Sequence, residues 1–210
     1  NVELKDPAYY LKSDTLLYNT ETEIVRFVTD TYMRDSSGRI IRTKEGFYNL
    51  NTGEAEFGQN PVIIDGSTIA TATTVFIKDS TGQILLKDNA VIRDTAEGRT
   101  IIGGEIIIDK KSEAFLATRK PVMIIKQDND SIYISADTLF SARLTDLYAK
   151  KDTVPVKKTK TKQKGVKVVD VKKQEPKDSA NRYFEAFSNV RIFHDSLQAV
   201  CDSMFYSFKD

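Results

Sequence analysis

A pattern of about thirty residues recurs along this 210-residue chain, and recurrence at that period restricts the fold more than any single motif does. The unit is a small residue, an acid, a small residue or Thr, then two large apolar residues. It reads Ser13-Asp14-Thr15-Leu16-Leu17, Ala136-Asp137-Thr138-Leu139-Phe140 and Cys201-Asp202-Ser203-Met204-Phe205. Looser copies are Lys44-Glu45-Gly46-Phe47-Tyr48, Ala72-Thr73-Thr74-Val75-Phe76 and Gly104-Glu105-Ile106-Ile107-Ile108. The acid column then falls at 14, 45, 73, 105, 137 and 202, and the last step of 65 spans two units. Turn signals follow most copies, as in Asn51-Thr52-Gly53-Glu54 and Asp79-Ser80-Thr81-Gly82. A second motif lies about fifteen residues further on: Asn60-Pro61-Val62-Ile63, Asn89-Ala90-Val91-Ile92, Lys120-Pro121-Val122-Met123 and Asn189-Val190-Arg191-Ile192.

Each unit therefore reads as strand, tight turn, strand, wider connection. Two short strands cannot bury their own apolar face, but stacked copies can, each adding a rung to two facing sheets. Composition agrees. The chain has 19 Ile, 15 Val and 20 Thr against 12 Leu and 14 Ala, and branched Cβ atoms suit a pleated surface better than a helix. The expectation is an all-β fold of two facing antiparallel sheets, one domain over 1–210. The chain starts without Met and stops within a unit, so it reads as a fragment of a longer protein.

Charge and residue counts narrow the chemistry. Net charge is +1, which gives no global attraction to nucleic acid. The longest apolar runs fall far short of the ~20 residues of a membrane helix. One Cys and one His exclude an internal disulfide, a cysteine zinc site and a multi-histidine metal site. Residues 150–178 carry 11 Lys against Asp152, Asp170, Glu175 and Asp178, so a lysine-rich insert interrupts an acidic body. That stretch reads as a solvated loop, with contact to anionic lipid headgroups as the sharper reading. Val166–Val171 could add a strand, and Ser179–Phe187 a helical turn.

Period two decides which side chains face inward. With the acid as zero, unpaired carboxylates belong outside, so positions −1, +1 and +3 are expected inward. Small residues beside large ones on that face would leave a lumen. The acid column itself reads as a solvent-facing structural feature, not as the paired carboxylates of a glycosidase. His194-Asp195-Ser196 holds the residue types of a hydrolytic triad, but consecutive residues cannot take up its geometry. Cys201 sits in the small-residue column as a buried, inert thiol. Gly103-Gly104 lacks the setting of a phosphate loop.

The repeated small-Asp-Thr-Leu-x-Tyr/Phe unit, the Asn51–Phe57 hairpin and the Asn-Pro-Val-Ile segments resemble the OstA-like family over about 8–144 and 183–208. That family includes the lipopolysaccharide transport proteins LptA and LptC and the N-terminal domain of LptD. The resemblance implies a β-jellyroll of the "β-taco" type, a periplasmic location near the outer membrane, no cofactor and no catalysis. It implies lipid A acyl chains carried in an apolar groove, and end-to-end β-augmentation with other such domains or with itself. Carried over by motif, the groove positions are Thr15, Leu17, Tyr48, Phe76, Ile106, Ile108, Ile132, Ile134 and Phe140, joined by Val62, Ile64, Val122 and Ile124. Tyr9-Tyr10-Leu11 and Met204-Phe205-Tyr206 are the expected joining edges. The rival reading is a repetitive β-solenoid scaffold or glycan-binding module, which the lack of Trp weakens. A hydrolase stands third.

Overall fold

A computed structural model of the chain describes residues 2–5, 7, 9–127, 130–149 and 182–207. The lysine-rich stretch 150–178 and the expected strand at 166–171 lie outside the described residues. Almost everything described is antiparallel strand. The first rungs use β1 (Val2–Lys5), β2 (Tyr9–Ser13), β3 (Leu16–Asn19), β4 (Ile24–Phe27), β5 (Thr31–Asp35) and β6 (Ile40–Thr43). The middle uses β7 (Glu45–Asn49), β8 (Glu54–Gly58), β9 (Val62–Asp65), β10 (Thr68–Thr71), β11 (Thr74–Lys78) and β12 (Gln83–Asp94). The remainder is β13 (Arg99–Asp109), β14 (Ala114–Thr118), β15 (Val122–Gln127), β16 (Asp130–Ser135), β17 (Thr138–Arg143), helix α1 (Leu144–Ala149), β18 (Arg182–His194) and β19 (Leu197–Ser207). Arg182–Phe187 is thus strand, where the sequence suggested a helical turn.

Register divides these strands into two layers. Layer 1 runs β1-β2-β5-β6-β9-β10-β12-β13-β15-β16-β18-β19. Layer 2 runs β3-β4-β7-β8-β11-β12-β13-β14-β17-β18-β19. Four long strands belong to both layers, because β12, β13, β18 and β19 bend midway. The β12–β13 and β18–β19 ladders shift register at those bends, between Lys87 and Ala90 and between Phe187 and Val190. The bends and the short corners of the other rungs align along one closed edge. The hairpin turns of both layers line the opposite edge, which forms a mouth.

The closed edge is built from the two sequence motifs. The Asn-Pro/Ala motif supplies consecutive left-handed residues at Gln59-Asn60, Asp88-Asn89, Arg119-Lys120 and Ser188-Asn189. Asn and Asp tolerate that region because their short side chains hydrogen-bond locally. The small-Asp-Thr motif supplies the return corner. The amide of Asp137 donates to the Ser188 carbonyl (2.9 Å), and Asn189 Nδ2 donates to Asp137 Oδ2 (2.8 Å). Thr73 is held in the same way, by its amide to the Asp88 carbonyl and by Asn89 Nδ2 to its Oγ1. The polar column is therefore a corner hydrogen-bonding feature.

The corner changes the inward phase. Ser13, Thr43, Ala72, Gly103 and Ala136 are buried at its start, and Cys201 is half-buried. The next inward residue comes three positions later, not two: Leu16, Gly46, Val75, Ile106, Leu139 and Met204. An extra residue at a bend turns the following side chains to the other face. The equivalent column is then Asp14, Lys44, Thr73, Gly104, Asp137 and Asp202. The copies at Glu45 and Glu105 are read one residue out of phase in the sequence alignment.

Gly46 shows how tightly the rungs approach. Its φ is 149°, and a Cβ built there would lie 2.2 Å from the Glu56 carbonyl oxygen. Gly38, at φ 88°, has open space around it. Gly46→Ala is expected to cost about 3 kcal/mol and Gly38→Ala about 1 kcal/mol, as read by urea unfolding. Equal losses would mean that the contact with β8 does not govern Gly46.

Candidate functional site

Two apolar faces meet between the layers along their whole length. From layer 1 come Leu11, Met33, Ile41, Ile63, Ile92, Ile101, Met123 and Ile134; from layer 2 come Val25, Phe27, Phe57, Val75, Ile77, Leu86, Ile106 and Leu139. Phe27, Phe57, Val75, Leu86, Ile106 and Leu139 are at most 2% exposed, and the Phe27 and Phe57 rings stack at 5.9 Å. The interior is a packed seam, not the open lumen that small corner residues suggested. Those small residues let the layers close on each other. A cavity of about 250 Å³ remains between the layers at the first rungs, lined by Tyr9, Met33, Arg39, Tyr48, Phe57 and Asp79 among others.

The structure separates the thirteen residues expected in the groove. Ile106, Ile134, Ile108, Ile132 and Tyr48 do face the seam. Leu17 is 57% exposed on the outer face of layer 2, and Phe76 points to the same side. Phe140 is also outward, packed against Tyr183 beneath the start of α1. Thr15 lies in the closed-edge corner, where its amide meets Thr29 Oγ1. Val62, Ile64, Val122 and Ile124 flank the buried Ile63 and Met123 and so face outward from layer 1. Ile102 is likewise outward. The misplacement of Leu17, Phe76 and Phe140 follows from the corner, since they lie beyond the phase change, whereas Tyr48, Ile106 and Ile108 come from the two copies read out of phase. Val62, Ile64, Val122 and Ile124 were assigned to the wrong face of their own strands. Phe27, Phe57, Leu86 and Leu139, missed in the sequence, are traceable through their pairing with the correct face.

The mouth is polar over the first two-thirds of the stack. Arg39 is 8% exposed, with Nε 2.8 Å from Asp35 and Nη2 3.1 Å from Asp79 on the opposite layer. Tyr48 Oη donates to Asp79 Oδ2 at 3.0 Å. Burial, reinforced by the Asp79 charge, pushes the Tyr48 hydroxyl up to about 12. Burial acting alone would raise Asp35, but the hydroxyl of Ser37 and the charge of Arg39 outweigh it and hold the carboxyl below its ordinary value. A second link crosses the mouth at Lys110 Nζ–Asp65 Oδ2, 2.7 Å. Deeper along the stack, burial lowers the pKa of Arg182, against the opposing pull of Glu113 and Glu97.

Arg143 and Arg182 end β17 and β18 at this mouth. The connection from β17 to β18 is 38 residues long, of which α1 is described, whereas the other rungs of layer 2 are joined by short hairpin turns. Facing them on layer 1, the inner mouth row turns apolar at Ile125 and Ile132.

Among the described residues, the other chemistry-bearing side chains give no centre. His194 Nε2 is 2.9 Å from Asp130, and its Nδ1 is 3.2 Å from Ser196 Oγ. This array sits at an exposed hairpin and steadies the turn. No group of three or more His, Cys, Asp or Glu is placed to hold a metal among the described residues. The N-terminal edges are β1 and β3, since β2, which carries Tyr9–Leu11, pairs with β1 and β5. At the other end β19, with Met204–Tyr206, pairs only with β18 among the described residues.

An open stack of two antiparallel layers, closed by corners on one edge and lined by hairpin turns at the mouth on the other, is the β-taco jellyroll. The chain shares this fold with LptH from Pseudomonas aeruginosa, described as the LptA homologous periplasmic component of a lipopolysaccharide transport device. The likeness has a TM-score of 0.51 at 16% identity, over 57% of this chain and 95% of LptH. No protein-family model and no curated protein matches the sequence.

Arg39→Met leaves Asp35 and Asp79 without their shared cation and is expected to lower stability by about 2 kcal/mol, since both carboxylates are partly hydrated. Because the folded pKa of Asp35 is depressed, its contribution is present above the ordinary carboxylate pKa of about 4 and is lost as pH falls through the lower folded value. The urea midpoint should drop below about pH 4, and drop less in Arg39→Met. Parallel pH profiles would count against the link.

Proposed function

We propose that this protein is a lipopolysaccharide-carrying module of the periplasm, passing lipid A toward the outer membrane with its acyl chains held between the two layers. The observation that carries this reading is the seam itself. It is apolar on both sides, continuous from rung to rung, and closed at the mouth by polar side chains over only part of its length. The shared fold with LptH supports it. Sliding an acyl chain between the layers exchanges protein–protein contacts for protein–lipid contacts and takes about 0.8 kcal/mol per CH₂ out of water. The main opposing cost is separation of the mouth pairs. The lipid-facing residues in this reading are Ile106, Ile108, Ile132, Ile134 and Tyr48, with Phe57 and Val75 beside them.

The edges fit a chain of such modules. Backbone groups of β19 at one end, and of β1 and β3 at the other, suit strand addition by a neighbouring jellyroll or a second copy. A second reading, a repetitive scaffold, is favoured by the filled interior, because a scaffold needs no space between its layers.

Site-specific photo-crosslinking separates the two. Probes at Ile77 and Ile108 should capture lipopolysaccharide at least tenfold more than probes at Phe76 and Ile107, which point outward from the same strands. Equal capture, or none, would favour the scaffold. Ile108→Asp should abolish loading while circular dichroism remains β-rich.

A further inference from the structure

The outer face of layer 1 carries a surface that the seam does not use. Its outward positions form two continuous cross-strand rows. One row passes Lys5-Tyr10-Arg34-Ile40-Ile64-Ile69 and continues through Arg93-Thr100-Ile124-Tyr133-Phe193-Gln198. The parallel row begins at Glu3 and ends at Arg191 and Val200. Among the described residues of these strands, seven outward residues are basic, while Glu3 and, at the corner of β19, Asp202 are acidic. Arg34, Arg42, Arg93 and Arg191 have no ion-pair partner among the described residues.

The C-terminal half of this face is both basic and apolar. Ile102 is 40% exposed, Tyr133 42%, Phe193 50% and Val200 80%, and the Tyr133 and Phe193 rings meet at 6.4 Å. Apart from Asp202 at the corner of β19, the charged outward residues described on these strands are Arg93, Lys126 and Arg191. On the same rungs, the outer face of layer 2 has the opposite balance, with Glu105, Asp109 and Glu185 against Lys87. Sheet twist keeps a plane from touching every rung at once, so contact centres on the strands where the large side chains stand out.

We propose that this face docks on an anionic lipid bilayer. Half-exposed Ile, Val and Phe enter the headgroup boundary, Tyr133 lies at its level, and unpaired guanidinium groups meet lipid phosphates. The coincidence of unpaired basic groups and exposed apolar side chains on one face fits an anionic bilayer, and two such faces repel each other. Stacking of this face on the acidic outer face of layer 2 of a second copy would show as self-association without vesicles and would overturn the proposal. Placed this way, the module would lie flat on a leaflet with mouth and ends free. The inference does not depend on lipid between the layers.

The chain lacks Trp, so Phe193→Trp gives a single reporter. With phosphatidylglycerol vesicles its emission should shift to the blue, the shift should fade in high salt, and pure phosphatidylcholine vesicles should give little. Leu116→Trp, on the outer face of layer 2, should not shift. Replacing Arg93, Lys126 and Arg191 together by Gln should weaken partitioning roughly a hundredfold, while Lys87→Gln leaves it unchanged. Absence of partitioning, an unaffected triple variant, or equal shifts from both reporters would overturn the proposal. Binding of polyglutamate without vesicle binding would also overturn it, in favour of an acidic protein partner. Seam loading, read by the Ile108 crosslink, can fail or succeed independently of these results.

Discussion

Everything in this fold depends on one apolar face meeting another across a gap that no single rung could cover. A two-strand unit in isolation leaves half its side chains in water. Stacked, it shares Phe27, Phe57, Val75, Leu86, Ile106 and Leu139 with its neighbours in one seam. Burial of this kind is non-directional and grows with area, so it rewards adding rungs and sets no natural end to the stack. The corners and turns only have to hold the two layers at the spacing the seam requires.

The two long edges of the stack are held by different physics. The closed edge is covalent chain, with left-handed Asn and Asp residues and small side chains that let the layers converge. The mouth is held by charge: Arg39 between Asp35 and Asp79, and Lys110 on Asp65. A hinge of chain opposite a catch of ion pairs can part on one side without unravelling the ladders. On the proposed reading, this asymmetry would let a packed interior admit an acyl chain once the mouth contacts give way.

The outer faces are unequal as well. Both carry apolar side chains, but among the described strand residues layer 1 is basic and layer 2 acidic over the same rungs, a sidedness that the near-zero net charge conceals. In a chain of +1 overall, charge is informative only after the strands have been assigned to faces.

The sequence alone determined the β class, the thirty-residue period, the hairpin turns and the two corner motifs, because each is written in residues close together in the chain. Strand propensity, turns rich in Asn, Asp and Gly, and small residues at bends act locally. The facing of the side chains was decided only by the tertiary structure. One extra residue at each corner reverses the alternation, so Leu17, Phe76 and Phe140 point outward while Leu16, Val75 and Leu139 point in. The mouth was equally out of reach, since Arg39 and Asp79 are forty residues apart and meet only when two hairpin turns from opposite layers come together. Period two carries no information across a bend, and an ion pair between turns has no period at all.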